Sequence, residues 1–198
     1  MIISKKFSSD LFWNFFSLAI LASSGIIINI FIAKYYGSMH LGVFNQVFAL
    51  YIFFSQFSIG ALHFSALKNI SYNQDKLPIV AQITISALIL CVVLSFSVSI
   101  ITYFIRNIIG DILESPNVSF GLMLIAPGLI FFSINKILLN VLNGLNFMRA
   151  YAFFQAFRYV LICSSIIILY IFSFSGKYLS FALTIAEVIL ALGLIIYL

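Results

Sequence analysis

The sequence predicts an all-α polytopic membrane protein: a single bundle of six transmembrane helices covering 1–198. Three observations predict it. First, 64% of the 198 residues are hydrophobic and 8% are charged, with a mean hydropathy of +1.20; a soluble domain carries about 25% charged residues. Second, the apolar residues fall into runs near the roughly 20 residues that cross a hydrocarbon core about 30 Å thick. Third, the polar stretches between the runs are short loops, and none could form a soluble domain. The net charge of +5 is spread over those loops. Nucleic acid is therefore not an expected partner, and Lys and Arg report orientation instead.

The first span is expected over 11–33. Lys5 and Lys6 precede it, but the run is too long for a signal-peptide core and no small-residue cleavage site ends it. Asn14 and Asn29 lie near its ends, and Ser23, Ser24 and Gly25 allow close helix packing. Tyr35 and Tyr36 follow at the depth of an aromatic belt. The second span is expected over 41–67. Gln56, Gly60 and His63 share one face at i, i+4, i+7, and that face is expected to point inward. A polar loop, Lys68 to Lys76, leads to Pro78, which opens a third span over 78–105 where a proline costs no hydrogen bond. Asp111 and Glu114 lie in the next loop with no partner beyond Arg106, so they do not read as an acid–base pair.

The stretch from Lys136 to Arg158 carries most of the functional signal. The fourth span is expected over 120–142, interrupted by Pro127-Gly128, which reads as a kink or as a break lining a cavity. Lys136, Asn140 and Asn143 follow at i, i+4, i+7 on one face. A tight turn leads to the fifth span, expected over 149–174, where Gln155 and Arg158 sit at i, i+3. A charge near the bilayer centre costs about 2.5–3.5 kcal/mol, while one Leu, Ile or Phe returns about 0.3–0.6 kcal/mol. Each base thus cancels roughly five to ten apolar neighbours on those scales. Such residues usually face a bundle interior or a wet cavity. The tight turn predicts that the two helices are antiparallel neighbours, so Lys136 and Arg158 would line one basic wall. Snorkelling toward the helix end is the alternative for Lys136. The sixth span is expected over 178–198, with Glu187 near its middle. An ionised Glu there needs a partner, and Arg158 or Lys136 is the candidate, for a structural or a coupling role.

Neither a metal nor a cofactor is expected. Cys91 and Cys163 read as small buried hydrophobes, and His40 and His63 have no Cys or carboxylate at ligand spacing. With the amino terminus inside, inner segments hold Lys5, Lys6, Lys68, Lys76 and Arg149, and outer loops hold Lys34, Arg106 and Lys177. That balance predicts a cytoplasmic amino terminus. The chain ends within the apolar run ALGLIIYL, and we expect it to be truncated or one half of a longer transporter.

The run IAKYYGSMHLGVFNQVFALYIFFSQFSIGALHFSALKNIS resembles the amino-terminal signature of polysaccharide biosynthesis proteins. These are the O-antigen and lipid-linked oligosaccharide flippases of the multidrug/oligosaccharidyl-lipid/polysaccharide exporter (MATE-like) superfamily. The resemblance rests on Gly37, Leu41, Gly42, Phe44 and Gly60, with Gly144, Asn146, Arg149 and the stretch from Gln155 to Arg158. It implies one lobe of a MATE-like fold, in a family whose members have two such bundles and about twice this length. It implies movement of an undecaprenyl-diphosphate-linked oligosaccharide, such as an O-antigen or other surface polysaccharide unit, across the bacterial inner membrane. A second bundle or a homodimer would complete the transporter. The family's commonly cationic cavity suits a diphosphate, and Lys136 and Arg158 match it by chemistry, with Asn140, Asn143 and Gln155 as contacts to phosphate or sugar hydroxyls.

Three alternatives stand beside this. A MATE-type exporter of small cations would favour acids, and Glu187 is the one intramembrane acid. A membrane enzyme would need a large extramembrane loop or an acidic cluster, and none is visible, so no enzymatic activity is expected. The last is a non-transporting structural bundle or truncated remnant.

Overall fold

The computed structural model describes the backbone of residues 2–198 and the side chains of 8, 9 and 11–198. Lys5 and Lys6 lie outside the described side chains. The described chain is all-helical. Its helices are α1 (Ile2–Tyr36), α2 (Ser38–Ile59), α3 (Leu62–Tyr72), α4 (Leu77–Ile112), α5 (Pro116–Gly144), α6 (Met148–Ile171) and α7 (Phe181–Tyr197), with a 3₁₀ turn at Gly176–Tyr178 before α7. Five of them, over Leu11–Tyr36, Ser38–Ile59, Leu77–Ile112, Pro116–Gly144 and Met148–Ile171, are long and apolar enough to cross a membrane. The segment expected as a sixth span over 178–198 is the 17-residue α7, about 25 Å long at 1.5 Å per residue. At the other extreme, the 36 residues of α4 reach about 54 Å.

The long helices alternate in direction. The end of α1 meets the end of α6, with Tyr36 and Tyr170 rings 6.0 Å apart. The start of α1 meets the start of α6, where an Arg149 Nη2 lies 3.5 Å from Ser9 Oγ. We call the side where α1 begins the near face and the opposite side the far face.

The expected second helix over 41–67 is not continuous. It ends at Ile59, because Gly60 (φ 49°) and Ala61 (φ 62°) are both left-handed. The Gly60 N–H closes the helix on the Gln56 carbonyl at 3.1 Å. A Cβ on Gly60 would sit 2.7 Å from Leu94 Cδ2, so a larger residue there would have to displace that side chain as well as adopt the left-handed turn. The residues expected to share an inward face are accordingly split: Gln56 and Gly60 are exposed, and only His63, on α3, is buried. α3 turns away to bury His63, Ala66 and Ile70 and packs against α5 and α4.

The bundle is built around α5, whose small residues admit its neighbours closely. A Cβ on Gly121 would meet Val47 of α2, on Gly128 would meet Thr184 of α7, and on Gly144 would meet Ile70 of α3. α5 stays helical through Pro127. Hydroxyls from both sides take up carbonyls around that proline: Ser99 donates to the Ala126 carbonyl at 2.7 Å and Thr184 to the Leu124 carbonyl at 2.7 Å. Pro127-Gly128 is therefore a packed crossing point rather than a broken helix lining a cavity. The main core joins α1, α2, α5, α6 and α7, and a smaller one fills the space between α3, α4 and α5.

Candidate functional site

The tight turn between α5 and α6 does not make them close neighbours. α6 packs chiefly on α1 and α7, and touches α5 less, because the small-residue face of α5 accepts α7 in its place. Lys136 still lies within electrostatic reach of Arg158 and of Glu187, while Arg158 itself is taken up by Glu187. Arg158 is 8% exposed and Glu187 of α7 is 1% exposed. They meet with Arg158 Nε 3.1 Å from Glu187 Oε1. The guanidinium carbon also sits 4.9 Å from the centroid of the Phe132 ring, and Tyr51 of α2 packs edge-on to the same ring at 5.8 Å.

Asn135, fully buried, completes the pair. Its Nδ2 donates to Glu187 Oε2 at 2.8 Å and to the Glu187 carbonyl at 2.8 Å. This residue was missed because it lies about 100° around α5 from Lys136, off the face that the i, i+4, i+7 spacing selects. An Asn beside Lys136 inside an apolar run was nevertheless a signal. Phe132 and Tyr51 carried no signal distinguishing them from core.

The site sits well inside the bundle. Arg158 is about 15 Å along α6 from its Met148 end. Its polar groups are only partly satisfied. Arg158 Nε and Nη2, Asn135 Oδ1 and Gln155 Oε1 are all buried without a hydrogen-bond partner among the described residues. The Arg158–Glu187 contact is therefore a close charge contact that lacks hydrogen-bond alignment. Each charge faces the other, but several donors and acceptors stay open in the bundle interior, where each is costly.

Lys136 differs from Arg158. It is half-buried and, among the described residues, has no ion-pair partner. Asn140 is buried and its Nδ2 donates to the Lys136 carbonyl at 2.8 Å. Asn143, half-buried, lies one turn further toward the near face. His63, outside the five long helices, has its pKa held below the ordinary value by burial and, second, by the Lys136 charge. The remaining sequence candidates play smaller parts. Asp111 and Glu114 are exposed. Cys91 is buried and Cys163 half-buried, both free, and no group of His, Cys, Asp and Glu among the described residues could hold a metal. No protein-family model matches the chain, and comparison with curated proteins and with solved structures gave no similar protein.

Proposed function

We propose that this chain is one bundle of a transporter for an anionic, lipid-linked substrate, an oligosaccharide carried on a polyprenyl diphosphate. The reading places six spans in a bacterial inner membrane, with the amino terminus cytoplasmic and a second bundle, in another copy or a longer chain, facing this one. The observation that carries it is Lys136: a half-buried base inside an apolar helix, without an ion-pair partner among the described residues, on one face with Asn140 and Asn143. A cation in that setting marks a path for something charged. Lys136 takes the first contact with the diphosphate by charge-assisted hydrogen bonds, and Asn143 and Asn140 offer amides to phosphate or sugar hydroxyls. Arg158 lies slightly deeper, and Gln155 lies near the level of Lys136. Arg158 joins the substrate only if Glu187 releases it, so the ion pair holds the inner site closed in the absence of substrate. The pairing of Glu187 also disfavours a small-cation exporter, since the one intramembrane acid is already neutralised.

Lys136 gives the clean test. Arg158→Ala would leave Glu187 buried without its counter-charge, and a folding defect would then imitate a transport defect. In an export assay with membrane-inserted protein, Lys136→Ala should abolish export and Lys136→Arg should retain it. Wild-type export by a well-inserted Lys136→Ala variant would sink the reading and favour a bundle whose polar residues serve only to hold it together.

A further inference from the structure

A second cluster lies on the far face, remote from Lys136. α1 ends in Tyr35 and Tyr36, and α6 ends with Tyr170. The Tyr35 and Tyr170 rings are 4.7 Å apart, and Phe31 packs on both, at 4.6 Å and 5.5 Å. Together with Ile171, Ser173 and Phe174, the three tyrosines line an open cleft of about 470 Å³. Small-molecule sites span about 300–1,000 Å³ and combine aromatic walls with a few polar groups.

The rim of the cleft is fixed by its own backbone. Ser173 is left-handed (φ 57°), and the turn is closed by Ser173 N–H to the Tyr170 carbonyl and Phe174 N–H to the Leu169 carbonyl, both at 2.9 Å. Just beyond, Gly176 lies so close to the His40 ring that a Cβ would overlap it, which pins this turn to the first turn of α2. Belt tyrosines at a membrane surface usually anchor a helix by pointing into the headgroups. These pack on one another around a concave space.

The chemistry of the lining selects among ligands. Lys34 Nζ already sits 5.1 Å over the Tyr35 ring, and Lys177 lies over Phe120 and Tyr178, so a cationic ligand would meet like charge. The Tyr36 hydroxyl is buried, whereas Tyr35 and Tyr170 are exposed, and an acyl chain would leave the Ser173, Tyr35 and Tyr170 hydroxyls unmatched. A pyranose fits both features: its C–H face packs on an aromatic ring, and its hydroxyls pair with the Tyr35, Tyr170 and Ser173 oxygens. We infer that the Tyr35–Tyr36–Tyr170 cleft is a carbohydrate subsite on the far face, taking a neutral pyranose ring of the transported glycan. The identification of the glycan as cargo rests on the proposed function; the site itself is separate from Lys136.

Saturation-transfer difference NMR on the protein in nanodiscs tests this, with methyl glucoside, methyl galactoside and methyl N-acetylglucosaminide as probes. The expected result is saturation of ring C–H protons of at least one probe. Binding should weaken roughly tenfold in Tyr35→Ala/Tyr170→Ala, which removes two aromatic contacts, and stay unchanged in Phe153→Ala, an exposed ring elsewhere on α6. Ile171→Trp, which fills the cleft without removing a ring, should give the same loss in a fold left intact. Absence of saturation from every probe, or equal saturation in the Ile171→Trp protein, would overturn the inference. So would displacement of the sugars by glycerophosphocholine with stronger saturation of the latter, which would assign the cleft to lipid headgroups. Export by Lys136 variants reads the other site, so either result can fail while the other stands.

Discussion

Removing one member of the Arg158–Glu187 pair should cost far more than removing both. At the 3.1 Å separation of Nε and Oε1, an effective dielectric constant near 20 gives an attraction of about 5 kcal/mol. Desolvating the two ions takes back several kcal/mol each, so the intact pair is worth little against an apolar pair of the same volume. A single deletion loses the attraction and keeps one desolvated charge, which typically costs about 3–5 kcal/mol. We therefore expect Arg158→Met and Glu187→Met each to destabilise the bundle by about 3–5 kcal/mol, with Arg158→Met at the lower end because Asn135 still donates to Glu187. The double variant should return to within about 1–2 kcal/mol of the parent. The assay is unfolding in mixed micelles followed by circular dichroism, run as a double-mutant cycle. Costs that simply add in the double variant would refute the reasoning, since they would mean that the two charges are compensated by other groups rather than by each other.

Two further outcomes follow from the backbone and the helix crossings. Gly128→Ala should destabilise by about 1–3 kcal/mol, because its Cβ would lie 2.6 Å from Thr184 Oγ1 and 3.1 Å from Thr184 Cα; Thr184 cannot yield without releasing the Leu124 carbonyl, and the same unfolding titration reads the loss. Ala61→Gly should stabilise by about 1 kcal/mol, since Ala61 is left-handed at φ 62° and an L-residue pays about 1–2 kcal/mol there that glycine does not. An unchanged midpoint for Ala61→Gly would mean that the break between α2 and α3 is not held in that geometry.

The five long apolar helices were legible because length and hydropathy suffice to mark them. Intramembrane ionisable residues were legible because their cost makes them conspicuous, and the need to compensate a buried charge left Arg158 or Lys136 as the partner of Glu187, of which the structure pairs Arg158. Adjacency was less legible. In a bilayer the lipid side and the partner side of a helix are both apolar, so periodicity does not say which neighbour a helix takes. Small residues decide that, and Gly121 and Gly128 assign α5 to α2 and α7 rather than to α6. The break after Ile59 was partly visible in Gly60, but a left-handed alanine beside it has no signature in sequence. Asn135 was lost to a face argument that followed Lys136 around the helix. Tyr35 and Tyr36 read as a belt because the third ring of the cleft, Tyr170, comes from a helix far along the chain.

The length of α4 has a consequence for whatever surrounds the bundle. Its 36 residues reach about 54 Å, against a hydrocarbon core about 30 Å thick. In a bilayer such a helix either leans far from the normal or stands proud of the headgroups. Its exposed flank, with Ile85, Ile89, Phe96 and Phe104, would then set how the lipid on that side is accommodated.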